Sequence, residues 1–178
     1  MKTSKRGPKE ILALRARRAN PLLGLAIAGV ANARWFNVIR GTQNAEVLVG
    51  SNHRDLVLAF AGSDQISAGG ARDIVYVIWG GDGSDTITGG NGRNQLHGGN
   101  GDDSVTGGPG RDRLWVGAGT DTENGGDGND VLHALFPDGQ VDTLDCGPGD
   151  HDIAWIRAGE PDIVTNCEVV KTRAPSSP

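Results

Sequence analysis

An all-β solenoid, a stack of short strands joined by tight turns, is the fold predicted for this 178-residue chain. Three observations predict it. Six consecutive nine-residue frames from Gly80 to His133 repeat Gly-Gly-x-Gly-x-Asp-x-apolar-x, reading GGDGSDTIT, GGNGRNQLH, GGNGDDSVT, GGPGRDRLW, VGAGTDTEN and GGDGNDVLH. Counting back in nines from Tyr76 extends the register through AGGARDIVY, AFAGSDQIS, GSNHRDLVL and GTQNAEVLV. In these earlier frames Asp73, Asp64, Asp55 and Glu46 hold the sixth position, and Val75, Ile66, Val57 and Leu48 the eighth. Glycine supplies 29 residues, where average usage of about 7% would give about 12 or 13. A fixed short period means that each unit buries its apolar side only against its neighbours.

The frame also carries chemistry. Its glycines allow φ > 0 and a sharp turn with exposed carbonyls. The Asp places a carboxylate at the end of that turn, and the eighth residue points from a short strand into a narrow core. Stacked turns therefore present carbonyl and carboxylate oxygens, the ligand set that Ca²⁺ prefers. The frames resemble the RTX (repeats-in-toxin) calcium-binding nonapeptide family. That resemblance implies a parallel β-roll with two repeats per coil and Ca²⁺ between neighbouring turns. Carried onto this sequence, one side presents Asp85, Asp103 and Asp121, and the other Asn94, Asp112 and Asp130. Turn oxygens would come from Gly80, Gly83, Gly89, Gly92, Gly98, Gly101, Gly107 and Gly110. Asn94 departs from the pattern by losing a charge, which implies weaker sites there.

Residues 34–79 read as degenerate coils with degraded or absent metal sites. Asp73, preceded by Gly69 and Gly70, is the best ligand among them, and Asp55 and Asp64 are expected to be solvated turn carboxylates. Two apolar insertions, Val77-Ile78-Trp79 and Ala134-Leu135-Phe136, are expected to lengthen strands or form bulges. Glu123 occupies an inward position. An unpaired ionised carboxylate is unfavourable in a dry core, so a local strand shift should bring it to solvent.

Residues 134–173 read as a C-terminal cap. A frame at 137–145 keeps Asp142 and Leu144, and one at 146–154 has His151 where Asp would stand. The only two cysteines, Cys146 and Cys167, lie here; a disulfide between them would stabilise the cap by about 3 kcal/mol in the chain-entropy account. The run VDTLDCGPGDHDIAWIRAGEPDIVTNCEVV resembles the ending of secreted actinobacterial RTX-like proteins. Residues 174–178 form a Pro/Ser tail, expected to be disordered.

Charge divides the chain. Residues 1–40 hold nine Lys/Arg and one acid, whereas residues 41–178 hold eight Lys/Arg and 21 Asp/Glu. Self-repulsion in the acidic part couples cation binding to folding, and nothing there points to nucleic acid. Residues 1–33 combine a basic start, the apolar run Leu22–Val30 and an Ala-Asn-Ala end, which together read as a secretory signal peptide. The run is too short for an ordinary transmembrane helix. A basic amphipathic docking helix is the alternative reading. Catalytic patterns are not legible: there is no H-E-x-x-H, no G-x-S-x-G and no Gly-Lys-Ser/Thr, and His97 and His133 read as solvent-facing strand residues. Thr86, Thr88, Thr106 and Thr122 do not read as a regular ice-binding array. The expectation is a secreted, non-enzymatic Ca²⁺-binding β-roll that folds or stiffens with calcium. Its alternative is an adhesive or assembly subunit of a surface layer or fibre, docking through the basic N-terminus on a cell surface or another copy.

Overall fold

The computed structural model describes residues 31–33, 36–70 and 76–174. The basic segment read as an export signal, Asp73 and the last four residues lie outside them, apart from Ala31–Ala33. Every element among the described residues is a strand, and the strands alternate between two sheets. The first sheet runs Ala31–Ala33, Phe36–Arg40, Asp55–Ala61, Tyr76–Asp82, Asn94–Asn100, Arg113–Trp115, Val131–Ala134, Ile153–Arg157 and Val169–Arg173. The second runs Val47–Val49, Gln65–Ser67, Thr86–Thr88, Ser104–Thr106, Thr122–Asn124, Thr143–Asp145 and Ile163–Thr165. All pairings are parallel except that of Ala31–Ala33 with Phe36–Arg40. Two nine-residue units make one coil, and about seven coils stack into the parallel β-solenoid expected.

The eighth-position residues form the core. Ile39, Val57, Ile78, Leu96, Leu114, Leu132 and Ala154 stack from the first sheet, facing Leu48, Ile66, Ile87, Val105 and Leu144 from the second. Nearly every one is fully buried, so truncating one such as Leu96 to Ala would cost about 2–5 kcal/mol. The Cys146–Cys167 disulfide ties the last coils together, with Cys146 in the core.

Four expectations about register and exposure are corrected. Between Ser67 and Gly80, Tyr76 rather than Asp73 holds the sixth position, and Ile78 rather than Val75 the eighth, because Tyr76 aligns with Asn94 and Ile78 with Leu96. The extra three residues precede this strand, so Val77-Ile78-Trp79 is the strand itself and not an insertion. Farther on, Asp152 takes the place assigned to His151: Ile153 aligns with Val131 and Ala154 with Leu132. Asp55 and Asp64 are buried rather than solvated. Finally, Glu123 does not turn outward. It remains in register between Val105 and Leu144 and is fully buried. Parallel pairing on both sides holds the strand, since a one-residue slip would reverse every side chain.

Two outer faces result. On the second sheet Thr86, Ser104, Thr122 and Thr143 form one file, and Ser67, Thr88, Thr106 and Asn124 another. The threonines thus share a face, which Gln65, Asn124 and Asp145 keep from being a uniform grid. On the first sheet the ninth positions align Trp79, His97, Trp115 and His133. Their rings stack at centroid distances of 4.0, 4.4 and 5.0 Å. His97 and His133 therefore point outward but are half-buried by indole rings. Burial lowers the pKa of both, that of His133 to about 4 with help from Arg113 and His97.

Burial raises the Glu123 pKa to about 8, and nearby backbone amides of His133 and Val116 offset only part of this. Neither of its oxygens has a hydrogen-bond partner. Glu123→Met keeps the length and removes the orphaned polar atoms. It is expected to raise stability by about 1–3 kcal/mol at neutral pH, read by thermal melting.

Candidate metal centre

The sixth-position carboxylates are what the turns are built around. In the column leading into the second sheet, a backbone N–H of each coil donates to the carboxylate of the next. Glu46 N donates to Asp64 Oδ1 at 2.7 Å, and Asp64, Asp85 and Asp103 N to Asp85, Asp103 and Asp121 Oδ1 at 2.8 Å each. The chain continues from Asp121 N to Asp142 Oδ1 at 3.0 Å and from Asp142 N to Asp162 Oδ1 at 3.2 Å. The column leading into the first sheet repeats this. Asn94 and Asp112 N donate to Asp112 and Asp130 Oδ1 at 2.7 Å, Asp130 N to Asp152 Oδ1 at 2.6 Å, and Asp152 N to Glu168 Oε2 at 2.7 Å. Asp85, Asp103 and Asp121 thus share one column, and Asn94, Asp112 and Asp130 the other. Sequence reasoning missed Asp162, although its Asp-x-apolar spacing to Val164 matches the frame.

Apart from those ending on Asp142 and Glu168, each link satisfies one oxygen and strands the other. The Oδ2 atoms of Asp64, Asp85, Asp103, Asp121, Asp112, Asp130, Asp152 and Asp162, with Asn94 Oδ1, are buried without a hydrogen-bond partner. Earlier coils differ. Both oxygens of Glu46 are taken by Thr42 N and Oγ1, and those of Asp55 by Ser51 and Asn37. There the chain itself completes the carboxylate shell.

The glycines make room for the stranded oxygens. A Cβ on Gly80 or Gly98 would collide with Oδ2 of Asp85 or Asp103. On Gly107 it would lie 2.6 Å from Asp112 Oδ2, and on Gly89 2.8 Å from Asn94 Nδ2. The fourth-position glycines Gly83, Gly92, Gly101 and Gly110 all have positive φ, at 121° for Gly101, a region that L side chains rarely adopt. Asn94 behaves as its chemistry dictates: its Nδ2 donates to Asp112 Oδ1 at 2.9 Å and to turn carbonyls of Gly90, Gly92 and Gly107. An amide NH₂ in that position fills by hydrogen bonding what a cation would fill by coordination.

Electrostatics follows from burial. Desolvation raises Asp85 and Asp130 to about 6, and Asp103, Asp112 and Asp142 to about 7; the donated N–H bonds offset part of the shift and neighbouring carboxylates add to it. Asp64, Asp121, Asp152 and Asp162 move in the same direction for the same main reason. No three His, Cys, Asp or Glu side chains converge among the described residues. Any cation held here must take carboxylates from successive coils and complete its shell with turn carbonyls. That mixed oxygen set suits Ca²⁺ and not a soft transition metal.

A family model for the RTX calcium-binding nonapeptide repeat matches four copies, over residues 40–75, 77–96 and 97–132, a little over half of the chain. The chain belongs to that family. RTX nonapeptide repeats bind Ca²⁺ and typically form structural or binding modules. No curated protein and no solved structure showed a match.

Two outcomes test this arrangement. A carboxyl whose folded-state pKa lies above its ordinary 3.8 contributes stability that is complete below that value and lost as pH rises through about 7. Chelator-treated RTX chain is therefore expected to melt at a lower temperature at about pH 8 than at about pH 5, whereas calcium, competing with protons, should bind more tightly at the higher pH. Removing one carboxylate from each column with Asp103→Ala and Asp112→Ala should lower calcium stoichiometry and weaken binding by about tenfold or more, read by calorimetry.

Proposed function

We propose that this chain is a secreted calcium-binding β-roll, a structural or interaction module that folds or stiffens when Ca²⁺ enters its turns. The observation that carries the reading is the run of buried, partnerless carboxylate oxygens through consecutive coils. Asp85, Asp103 and Asp121 on one side, and Asp112 and Asp130 with Asn94 on the other, would hold the ions with carbonyls of the glycine turns. The columns extend the ligand set to Asp64, Asp142, Asp152 and Asp162. Calcium supplies positive charge that cancels the burial penalty. The chain's own residues do the rest: backbone N–H groups orient each carboxylate, and the glycines leave space beside it.

Export is supported by chemistry rather than by location. Extracellular modules use weak calcium sites of about 10⁻⁴–10⁻³ M, which stay empty in a calcium-poor cytosol, and a disulfide persists in oxidising surroundings. An acidic chain kept unfolded by its own charge would fold once outside. Among the described residues no helix is long and apolar enough to cross a membrane.

The test is a titration of the full chain followed by far-ultraviolet circular dichroism and calorimetry, with Mg²⁺ as control. A β-forming or Tm-raising transition at sub-millimolar to millimolar Ca²⁺, absent with Mg²⁺, is the expected result. A chain equally folded and equally stable in chelator, with no heat of binding, would contradict it.

A further inference from the structure

A cavity of about 260 Å³ opens on the outer face of the first sheet, where Asn94–Asn100 and Arg113–Trp115 lie side by side. Arg93, Arg111 and Arg113 line it, with Asn94, Gln95, Asp112 and Val131. Gln95 and Arg113 are register partners across the two strands, and Arg93 and Arg111 occupy matching turn positions one coil apart. Three arginines are thus brought to one opening by the repeat geometry.

None of the three makes an ion pair or a side-chain hydrogen bond among the described residues, where the one ion pair is Arg157–Glu160. This is unexpected for the electrostatics of the chain, because residues 41–178 carry 21 acids against eight bases. The carboxylate nearest at hand, Asp112, is fully buried; its Oδ1 is occupied by Asn94, and its Oδ2 lies against Gly107 in the turn. The amide of Asn94, standing where the repeat has a carboxylate, removes one more negative charge from beside the cavity. Mutually repelling cations around a pocket with an amide donor and an apolar wall are matched by a ligand that brings the missing negative charge. Guanidinium groups bind planar or tetrahedral oxyanions through paired N–H donors.

We propose that Arg93, Arg111 and Arg113 form an oxyanion-binding site for a carboxylate, sulfate or phosphate carried on a small polar body such as a sugar acid. The cavity exceeds a bare inorganic anion, and Gln95 and Val131 give it contacts for an attached ring. Stacking of a sugar on Trp115 is not part of the site, since His97 and His133 cover both faces of that indole. The site adjoins the turn column through Asn94 and Asp112 and extends the function from calcium binding to ligand recognition. Trp115, two residues from Arg113 on the same outer face, supplies a fluorescence reporter.

The experiment titrates the full chain, in saturating Ca²⁺, with sodium sulfate, glucuronate and a sulfated disaccharide, using glucose as the neutral control. Saturable fluorescence changes with the anions and none with glucose are expected, weakening as salt is raised. Arg111→Gln with Arg113→Gln should weaken binding at least about tenfold while leaving calcium stoichiometry and melting temperature at parent values. Arg157→Gln, outside the cavity, should leave anion binding unchanged. Tighter binding of the sugar-borne anions than of sulfate assigns the site to an acidic saccharide, and equal binding assigns it to a free oxyanion. No saturable response to any anion, or an undiminished response in the double variant, overturns the proposal. If the double variant unfolds, Arg93→Gln and Arg113→Lys are measured instead, with a weakening of about threefold or more expected for Arg93→Gln.

Discussion

Each coil of this roll is tied to the next by a backbone N–H that donates to a sixth-position carboxylate, and most other features follow from what that bond leaves over. It orients the side chain inward and uses one of its two oxygens, so the second oxygen is buried in the same stroke. Moving the carboxylate outward would break the link between coils, and slipping the register would expose the eighth-position core. Glycine is required beside the stranded oxygen because any Cβ would occupy its space. The raised carboxyl pKa values are the electrostatic record of the same constraint.

The chain resolves that strain differently along its length. Near the N-terminal end Thr42, Ser51 and Asn37 complete the carboxylate shells of Glu46 and Asp55, and those turns have lost most of the repeat glycines. From Asp64 onward no hydroxyl donates to the sixth-position carboxylates among the described residues, the glycines return from Gly80, and oxygens remain without partners. Asn94 is a third solution, in which an amide donor replaces the carboxylate and hydrogen-bonds the surrounding carbonyls. Glu123 shows the same physics in the core: parallel pairing on both sides holds its strand, and burial raises the pKa of the acid instead of turning it outward.

Much of this was legible because the signal is periodic. Ile87, Leu96, Val105, Leu114 and Leu132 could be placed in one core from their spacing, and the two carboxylate columns follow once two repeats make a coil. Register was hardest to read where the period breaks. Asp73 and Tyr76 both fit a count of nine, and only strand pairing with Asn94–Asn100 puts Tyr76 in line. His151 and Asp152 present the same problem, because one extra residue in the Cys146–Asp152 turn is invisible to a fixed frame. Asp162 lacks the glycine turn that marks the other repeats. The stacked Trp79, His97, Trp115 and His133 rings were hidden by distance in sequence: they meet only because residues one coil apart become neighbours.

The central claim is that the turns of this RTX chain are held together by buried carboxylates whose charge needs a cation to balance it. The most direct measurement is residue-resolved amide hydrogen exchange at Asp85, Asp103, Asp121, Asp112 and Asp130, whose N–H groups form the links between coils. Spectra would be compared in calcium and in chelator above pH 7, where the carboxyls raised to about 7 ionise. The account predicts strong protection of these amides with calcium and rapid exchange without it. Equal protection in both conditions would contradict it.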